Sequence, residues 1–196
     1  MINDNIKEAY RRLLSDENAA FFVDITGEHL FYINTMFNKM SRPIFEHILS
    51  GSFNPLHGAH RYIYNNIKSP HKCFEISLQR TDKEFLTFEN LTVRLQQFAE
   101  YAPVLITNSP LMQQKIGILR SFTLSPLTVH LGTDVFKRML QDHGRILIQG
   151  MNAIFAIYKR DNSFITELPH NCFMSNLPER FQGLSSSQLR IGVNNV

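Results

Sequence analysis

The chain has 196 residues, of which 43% are hydrophobic and 19% are charged. This composition is enough for a sizeable core in one α/β domain, with or without an appendage, and it excludes global disorder. The formal net charge is only +3, and the basic residues are scattered, whereas nucleic-acid-binding proteins usually concentrate them on one face. We therefore expect no nucleic-acid partner.

Other features favour a cytoplasmic protein. Cys73 and Cys172 are far apart and have no CxxC spacing, so we expect two buried thiols in a reducing compartment rather than a disulfide. No apolar run approaches the ~20 residues of a membrane span. Asp4 and Glu8 lie close to the amino terminus, unlike the pattern of a signal or transit peptide. We expect no membrane association.

Residues 1–42 differ from the rest of the chain, and we interpret them as an N-terminal extension. The stretch "NDNIKEAYRRLL" has polar caps and then apolar residues at helical spacing, which predicts a helix. The apolar stretch "AAFFVDITGEHLFYINTMF" is broken by Thr26 and Gly27, which predicts a strand, a turn and a second strand or helix. We expect this extension to pack on the following domain or on a partner subunit.

Residues 43–196 show the alternation of one α/β domain. Strands are predicted at 44–51, 73–79, 103–108, 127–132 and 152–160. Helices are predicted at 57–67, at 87–101 with Thr87 as N-cap and at 111–119, and others start in "TDVFKRMLQ" and "LSSSQLRIGV". Such alternation with short connections implies βαβ units and a parallel sheet. Ligands of these sheets bind beyond the carboxyl ends of the strands.

Three polar clusters fall at predicted strand ends or helix starts, and the first is "GSFNPLHGAH". Gly51 and Ser52 end the first strand of the domain, so backbone N–H groups there could approach a phosphate. His57 and His60 lie on one face at the start of a helix, and a helix N-terminus favours anions. That face also carries Ile63, which predicts that it points inward to the sheet.

Two other interpretations of these histidines stay open. A pair of histidines on an apolar helix face can be a structural pair whose hydrogen bonds are satisfied within the fold. A zinc site could use His57 and His60 with His71 or Cys73. That site would lack the paired CxxC or HExxH spacing typical of zinc proteins.

The second and third clusters are "HLGTD" and "LSSSQLR". Gly132 at a strand end could let a nucleoside pass while Asp134 accepts hydrogen bonds from ribose or base; alternatively, Asp134 caps the next helix. In the third cluster, hydroxyl groups open a helix and Arg190 follows Ser187 by three residues, which suits a polyphosphate. The alternative is a serine N-cap with a solvated arginine.

These motifs resemble the signatures of the nucleotidyltransferase superfamily, the adenylyl- and cytidylyltransferases with an HxGH motif. "GSFNPLHGAH" resembles the GxFxPxHxGH signature, "GTD" the GxD element, and "LSSSQLR" the ISSTxxR element near the carboxyl terminus. "FAIYKR" resembles a strand of nicotinamide and nicotinate mononucleotide adenylyltransferases. "FEISLQRTDKEFLTFENLTVRLQQF" is similar to a branch of cytidylyltransferase-like proteins. The resemblance covers roughly residues 43–196.

The resemblance implies a Rossmann-like parallel sheet flanked by helices, with the nucleotide over the strand ends. It implies an enzyme of NAD biosynthesis that transfers AMP from ATP to nicotinamide or nicotinate mononucleotide and releases pyrophosphate. The acceptor phosphate attacks the α-phosphorus in line, without a covalent intermediate. Mg²⁺ is expected as the cofactor, held mainly by the nucleotide and not by a metal site of the protein. Members of this family are often oligomers, which leaves a homo-oligomer open.

The resemblance also assigns roles to residues of this chain. His57, His60 and Arg190 are the expected catalytic residues, with the two histidines on the α- and β-phosphates and the arginine on the leaving phosphates. The expected nucleotide-binding residues are Gly51, Ser52, Phe53, Gly132, Asp134, Ser186 and Ser187. Lys83 is the candidate for the acceptor phosphate, with a solvated loop lysine as the alternative.

One departure from the family pattern bears on activity. The family has glycine before the second histidine, where this chain has Ala59, and a methyl group there could displace the phosphates because this chemistry depends on close positioning. A non-catalytic nucleotide-binding module therefore stays open. So do CTP as donor and other phosphate-bearing acceptors, such as phosphopantetheine or a sugar or glycerol phosphate.

Overall fold

A computed structural model describes residues 4–16, 19–24, 30–34, 45–79, 84–120, 126–159, 165 and 167–184. The helices are α1 (Asp4–Leu14), α2 (Gly58–Asn66), α3 (Phe88–Gln96), α4 (Met112–Arg120) and α5 (Thr133–Gly150), followed by a 3₁₀ turn at Glu179–Phe181. The strands are β1 (Ala19–Val23), β2 (Leu30–Asn34), β3 (His47–Ser50), β4 (Lys72–Ser77), β5 (Val104–Thr107), β6 (Thr128–Gly132), β7 (Ile154–Lys159) and β8 (Cys172–Asn176).

The strands form one sheet in the order β2-β1-β5-β4-β3-β6-β7-β8. From β5 to β8 all neighbours are parallel, and β1 pairs antiparallel with both β5 and β2. Counted from β3 along the chain, the parallel strands lie in the order 3-2-1-4-5-6, which is the order of doubly wound dinucleotide-binding folds. The predicted Rossmann-like parallel sheet is confirmed.

Helices cover both faces of the sheet. Because successive side chains of a strand point to opposite faces, β3 sends Leu49 to one core and Ile48 to the other. The first core also receives residues of α1, α2 and α3, and the second receives residues of α4 and α5. This two-faced burial explains why the predicted strands of the domain read as continuous apolar runs.

The described part of residues 1–42 adds to this sheet. Helix α1 and strand β1 lie where the sequence predicts a helix and a strand, and the second apolar segment is the strand β2. Helix α1 buries Ile6, Ala9 and Leu13 in the first core. The extension therefore packs on the domain, which is one of the two expected arrangements, while the boundary after residue 42 stays a prediction.

Several elements differ from the sequence predictions, and helix α3 ends at Gln96, before the predicted end at residue 101. Helix α5 continues to Gly150, past Gly144, whose backbone has φ 69° and interrupts the helical turns. Strand β8 was not predicted, and its residues are intermediate or exposed in burial. Within the described residues no helix has the length and apolarity needed to cross a membrane.

Both cysteines are free thiols, and only Cys73 is fully buried as expected, since Cys172 is partly exposed. Burial raises the pKa of the Cys73 thiol well above its ordinary value and raises that of Cys172 to about 12.

Candidate functional site

The sheet brings the first two predicted clusters together at its centre. Strands β3 and β6 are neighbours, with Leu49 opposite His130, so the residues that follow these strands lie side by side at the carboxyl edge. Between these two strands the order of the sheet reverses, because the chain leaves β3 toward β4 and β5 and returns to β6 on its other side. Doubly wound folds bind their ligands in the crevice at this point.

The loop after β3 is built around the ring of Phe53. This ring is buried and packs edge-on against Phe74 and His60, with centroid distances of 5.0 and 4.9 Å. The backbone of Phe53 has φ 45°, a left-handed conformation uncommon for a residue with a side chain. A Cβ on Gly51 would lie 2.8 Å from the tip of the Phe53 ring. The ring thus faces the core, and the backbone of Phe53 is the part that can line a ligand.

Two side chains hold this loop from the side, those of Arg94 in α3 and of Gln97, the C-cap residue of that helix. Arg94 donates from Nη1 to the carbonyl oxygen of Ser52 at 2.9 Å. Gln97 accepts from the N–H of Leu56 at 2.6 Å and donates to the carbonyl oxygen of Phe53 at 3.1 Å. Arg94 and Gln97 have no predicted role, because they lie more than 40 residues from the loop and no local pattern connects them to it.

His57 and His60 lie where the loop enters α2. His57 is the N-cap residue and His60 sits in the first turn, and their exposed fractions are 7% and 4%. Their rings stack, with centroids 3.7 Å apart. The N–H of His57 donates to Nδ1 of His60 at 3.4 Å. A neutral imidazole that accepts at Nδ1 carries its proton on Nε2, so His60 keeps a donor at Nε2.

The stacked pair stands at a helix N-terminus, where backbone N–H groups and the helix dipole favour an anion. Ile63 of the same helix is buried against the sheet, as the spacing predicts, and so is Ile67 just beyond its end. The neutral His60 adds a donor at Nε2 to the N–H groups of this helix end. The arrangement therefore suits a phosphate group better than open solvent.

At the end of β6, Gly132 is the N-cap of α5, Thr133 is buried and Asp134 is exposed in the first turn. The alternative in which Asp134 itself caps the helix is wrong, because the N-cap is Gly132, two residues before Asp134. An acid in the first turn still stabilises the helix through its dipole. The expected contact of Asp134 with ribose or base stays a prediction.

A line of aromatic and imidazole groups crosses the sheet from His47, the first residue of β3, to Tyr158 of β7. His130 lies between His47 and Tyr158, with 3.0 Å from its Nε2 to Nδ1 of His47 and 3.1 Å from its Nδ1 to the Tyr158 hydroxyl. Burial, aided by His47, lowers the pKa of His130 to about 3. Burial likewise lowers the pKa of His47 and raises that of Tyr158. No local pattern in the sequence predicts this group.

The third cluster and the acceptor candidate fall outside the described residues. These are Ser186, Ser187, Arg190 and Lys83. The chain just before the third cluster is described, and it approaches the histidines. A Cβ on Gly58 would lie 3.0 Å from the Phe181 ring. Leu184 packs against the same core as α2.

Ala59, where the family pattern has glycine, has no exposed surface and belongs to the core cluster with Phe53 and Ile63. Its methyl group therefore points into the protein. Within the described residues, no three histidine, cysteine or acidic side chains lie together as a metal site. No family model matches the sequence, and no curated protein is similar enough to count as a relative.

Proposed function

We propose that this protein is a nucleotidyltransferase that transfers a nucleoside monophosphate, AMP from ATP in the leading version, to a phosphate monoester and releases pyrophosphate. Nicotinamide or nicotinate mononucleotide is the leading acceptor. The single observation that carries the proposal is the stacked pair of His57 and His60 at the N-terminus of α2, at the point where the strand order of the sheet reverses.

In this transfer the protein positions the reactants and stabilises negative charge, and it supplies no nucleophile. The acceptor phosphate attacks the α-phosphorus in line, and negative charge spreads over the non-bridging and leaving oxygens. His60 can donate to those oxygens from Nε2, and the first turn of α2 adds its backbone N–H groups. Mg²⁺ supplies charge neutralisation when bound. The phosphates of the nucleotide would hold it, as the resemblance implies.

The roles proposed for the remaining expected residues follow from their positions in the chain relative to the two histidines. Gly51 and Ser52 would line the phosphates, with Ser52 facing them through its backbone, because the N–H of Gly51 already donates to the carbonyl oxygen of Glu75. Gly132 and Asp134, at the neighbouring strand end, would face ribose or base. Ser186, Ser187 and Arg190 would take the leaving phosphates, and Lys83 would take the acceptor phosphate.

The buried methyl of Ala59 favours catalysis over the alternative of a non-catalytic nucleotide-binding module. That alternative requires a methyl group that presses on the phosphates, whereas this methyl has no exposed surface. Experiment decides between ATP and CTP as donor and among the acceptors.

The test is an assay of pyrophosphate release with Mg²⁺, in which ATP and CTP are each crossed with a panel of phosphate-bearing acceptors led by the two mononucleotides. We expect release with one donor–acceptor pair and a loss of at least ~10²-fold in the His60→Ala variant. His71→Ala is the matched control, because His71 is exposed and precedes β4 at the opposite, amino edge of the sheet. It should keep the wild-type rate.

Two outcomes would change the proposal. Binding of ATP that depends on His60, without release in any combination, would favour the binding module. No binding of either nucleotide would refute the transferase.

A further inference from the structure

A buried ion pair lies under the loop that begins at Gly51. Glu75 of β4 has no exposed surface, and Lys115 of α4 donates to its Oε2 at 3.0 Å. The side chain of Lys115 is also nearly buried. Removing two charges from water costs several kcal/mol per ion, and a well-packed apolar pair is often at least as stable. Stability alone therefore gives no reason for this pair.

Two hydroxyl groups complete the surroundings of the carboxylate. Ser50, the last residue of β3, donates from Oγ to Oε2 of Glu75 at 2.6 Å, and Thr107 of β5 donates to Oε1 at 2.6 Å. Lys115 also donates to Oγ of Ser50 at 3.4 Å. Glu75 is thus held from three other elements, β3, β5 and α4, and both oxygens of its carboxylate accept hydrogen bonds.

The network reaches the loop at two consecutive residues. The side chain of Glu75 accepts from Ser50, and its backbone carbonyl oxygen accepts from the N–H of Gly51 at 3.1 Å. The next residue, Ser52, is held by Arg94 from the opposite face of the sheet. The start of the loop is therefore fixed from both faces, and the turn that leads to His57 and His60 begins from a defined position.

We infer that Glu75, Lys115 and Ser50 are positioning residues, which fix the turn at Gly51 so that the loop and the two histidines keep the geometry needed to bind a nucleotide's phosphates. This inference rests on the proposed function. None of the three residues is expected to touch the nucleotide, since their polar side-chain atoms are used in hydrogen bonds to one another.

The sharpest comparison is between the two hydroxyl groups. Ser50→Ala and Thr107→Val each remove one hydroxyl that donates to the same carboxylate, but only Ser50 belongs to β3 and continues into the loop. Both variants should lose similar stability. Only Ser50→Ala should speed amide hydrogen exchange in residues 51–57 and weaken the binding of Mg²⁺–ATP or Mg²⁺–CTP, each by about tenfold.

A double variant separates positioning from stability. The double variant Glu75→Leu, Lys115→Met replaces the ion pair with apolar side chains of similar size. Its free energy of unfolding should therefore lie close to that of the wild type. We expect nucleotide binding to stay about tenfold weaker, because Ser50 has lost its acceptor. The matched control removes the exposed ion pair of Arg145 and Glu167 in the same way. It should leave both exchange and binding unchanged.

The outcomes separate this inference from the proposed function. Equal exchange in residues 51–57 for Ser50→Ala and Thr107→Val, or full binding in the stable double variant, would overturn the positioning role while leaving the transferase intact. Failure of the wild-type protein to bind either nucleotide would refute the transferase. The exchange comparison needs no ligand and would still decide whether the network fixes the loop.

Discussion

Gly51 is a glycine because of the ring two residues further along the chain. A Cβ on Gly51 would lie 2.8 and 2.9 Å from two atoms of the Phe53 ring, and this ring is enclosed by Phe74, Phe98 and His60. The ring cannot withdraw, since it is 1% exposed. At the scale of single residues, the motif suggests that Gly51 leaves space for a ligand. The packing of the Phe53 ring beneath the loop already requires a glycine at this position.

The substitution Gly51→Ala should therefore lower the free energy of unfolding by about 1–3 kcal/mol, the usual range for overpacking. Gly117→Ala is the control. Gly117 lies in α4, and an added Cβ there meets nothing within 4 Å, so the better helix propensity of alanine should stabilise the protein by about 0.5–1 kcal/mol. Urea unfolding of both variants checks the opposite signs. A neutral Gly51→Ala would mean that the Phe53 ring moves more freely than its packing indicates.

At the scale of elements, α3 stabilises a loop that it does not adjoin in sequence. Gln97 satisfies two backbone groups of that loop, the N–H of Leu56 and the carbonyl oxygen of Phe53. Loops at the edge of a sheet are usually its most mobile parts, and a side chain that bridges two of their backbone groups restrains them. Helix α3 thus acts as a support for the site.

We expect Gln97→Ala to cost about 1–3 kcal/mol of stability, because two partly buried backbone groups lose their partner. The neighbouring Gln96→Ala, at an exposed position of the same helix, should change stability by less than about 0.5 kcal/mol. Urea unfolding measures both, and nucleotide binding should weaken only in Gln97→Ala. Equal effects of the two substitutions would remove the supporting role of Gln97.

The elements that the sequence predicted are those with a local signal. Thr87 accepts from the N–H of Asn90 as the N-cap of α3, and the apolar runs of β3 and β6 are buried strands. Strand β8 lacks that signal because its residues are only partly covered. The end of α5 was not predicted because Gly144 interrupts the helical turns before it.

The same distinction applies to the candidate site. The stacked histidines and the strand-end glycines were predicted from short motifs, since each motif is contiguous in the chain. The group of Ser50, Glu75, Thr107 and Lys115 comes from four separate segments that only the strand order brings together. No periodicity or spacing within one segment could have indicated it.

At the scale of the whole molecule, the doubly wound order places polar groups inside as well as at the edge. His130 is 5% exposed, at the centre of the sheet between His47 and Tyr158. Because burial lowers its pKa from 6.5 to about 3, it stays neutral in the folded protein over a range in which an unfolded chain would protonate it. Its two hydrogen bonds remain satisfied in this neutral form, since one ring nitrogen donates and the other accepts.

This difference makes stability depend on pH with a definite sign. Below about pH 6.5 the unfolded chain binds a proton at His130 that the folded protein does not bind until about pH 3. Unfolding therefore takes up a proton in this window, and the free energy of unfolding falls as the pH falls, by up to about 1.4 kcal/mol per pH unit from this group. His47, whose pKa is also lowered by burial, adds to the fall with the same sign.

Urea unfolding at several pH values between 7 and about 4.5, the upper part of that window, measures this slope. The variant His130→Gln keeps polar atoms but cannot titrate. The number of protons taken up on unfolding should therefore be smaller by nearly one than in the wild type. His170→Gln is the control, because His170 is exposed and its ring meets water in both states. If His130→Gln keeps the wild-type slope, His130 binds a proton in the folded protein at these pH values. The buried line from His47 to Tyr158 then carries a positive charge, contrary to what its low exposure indicates.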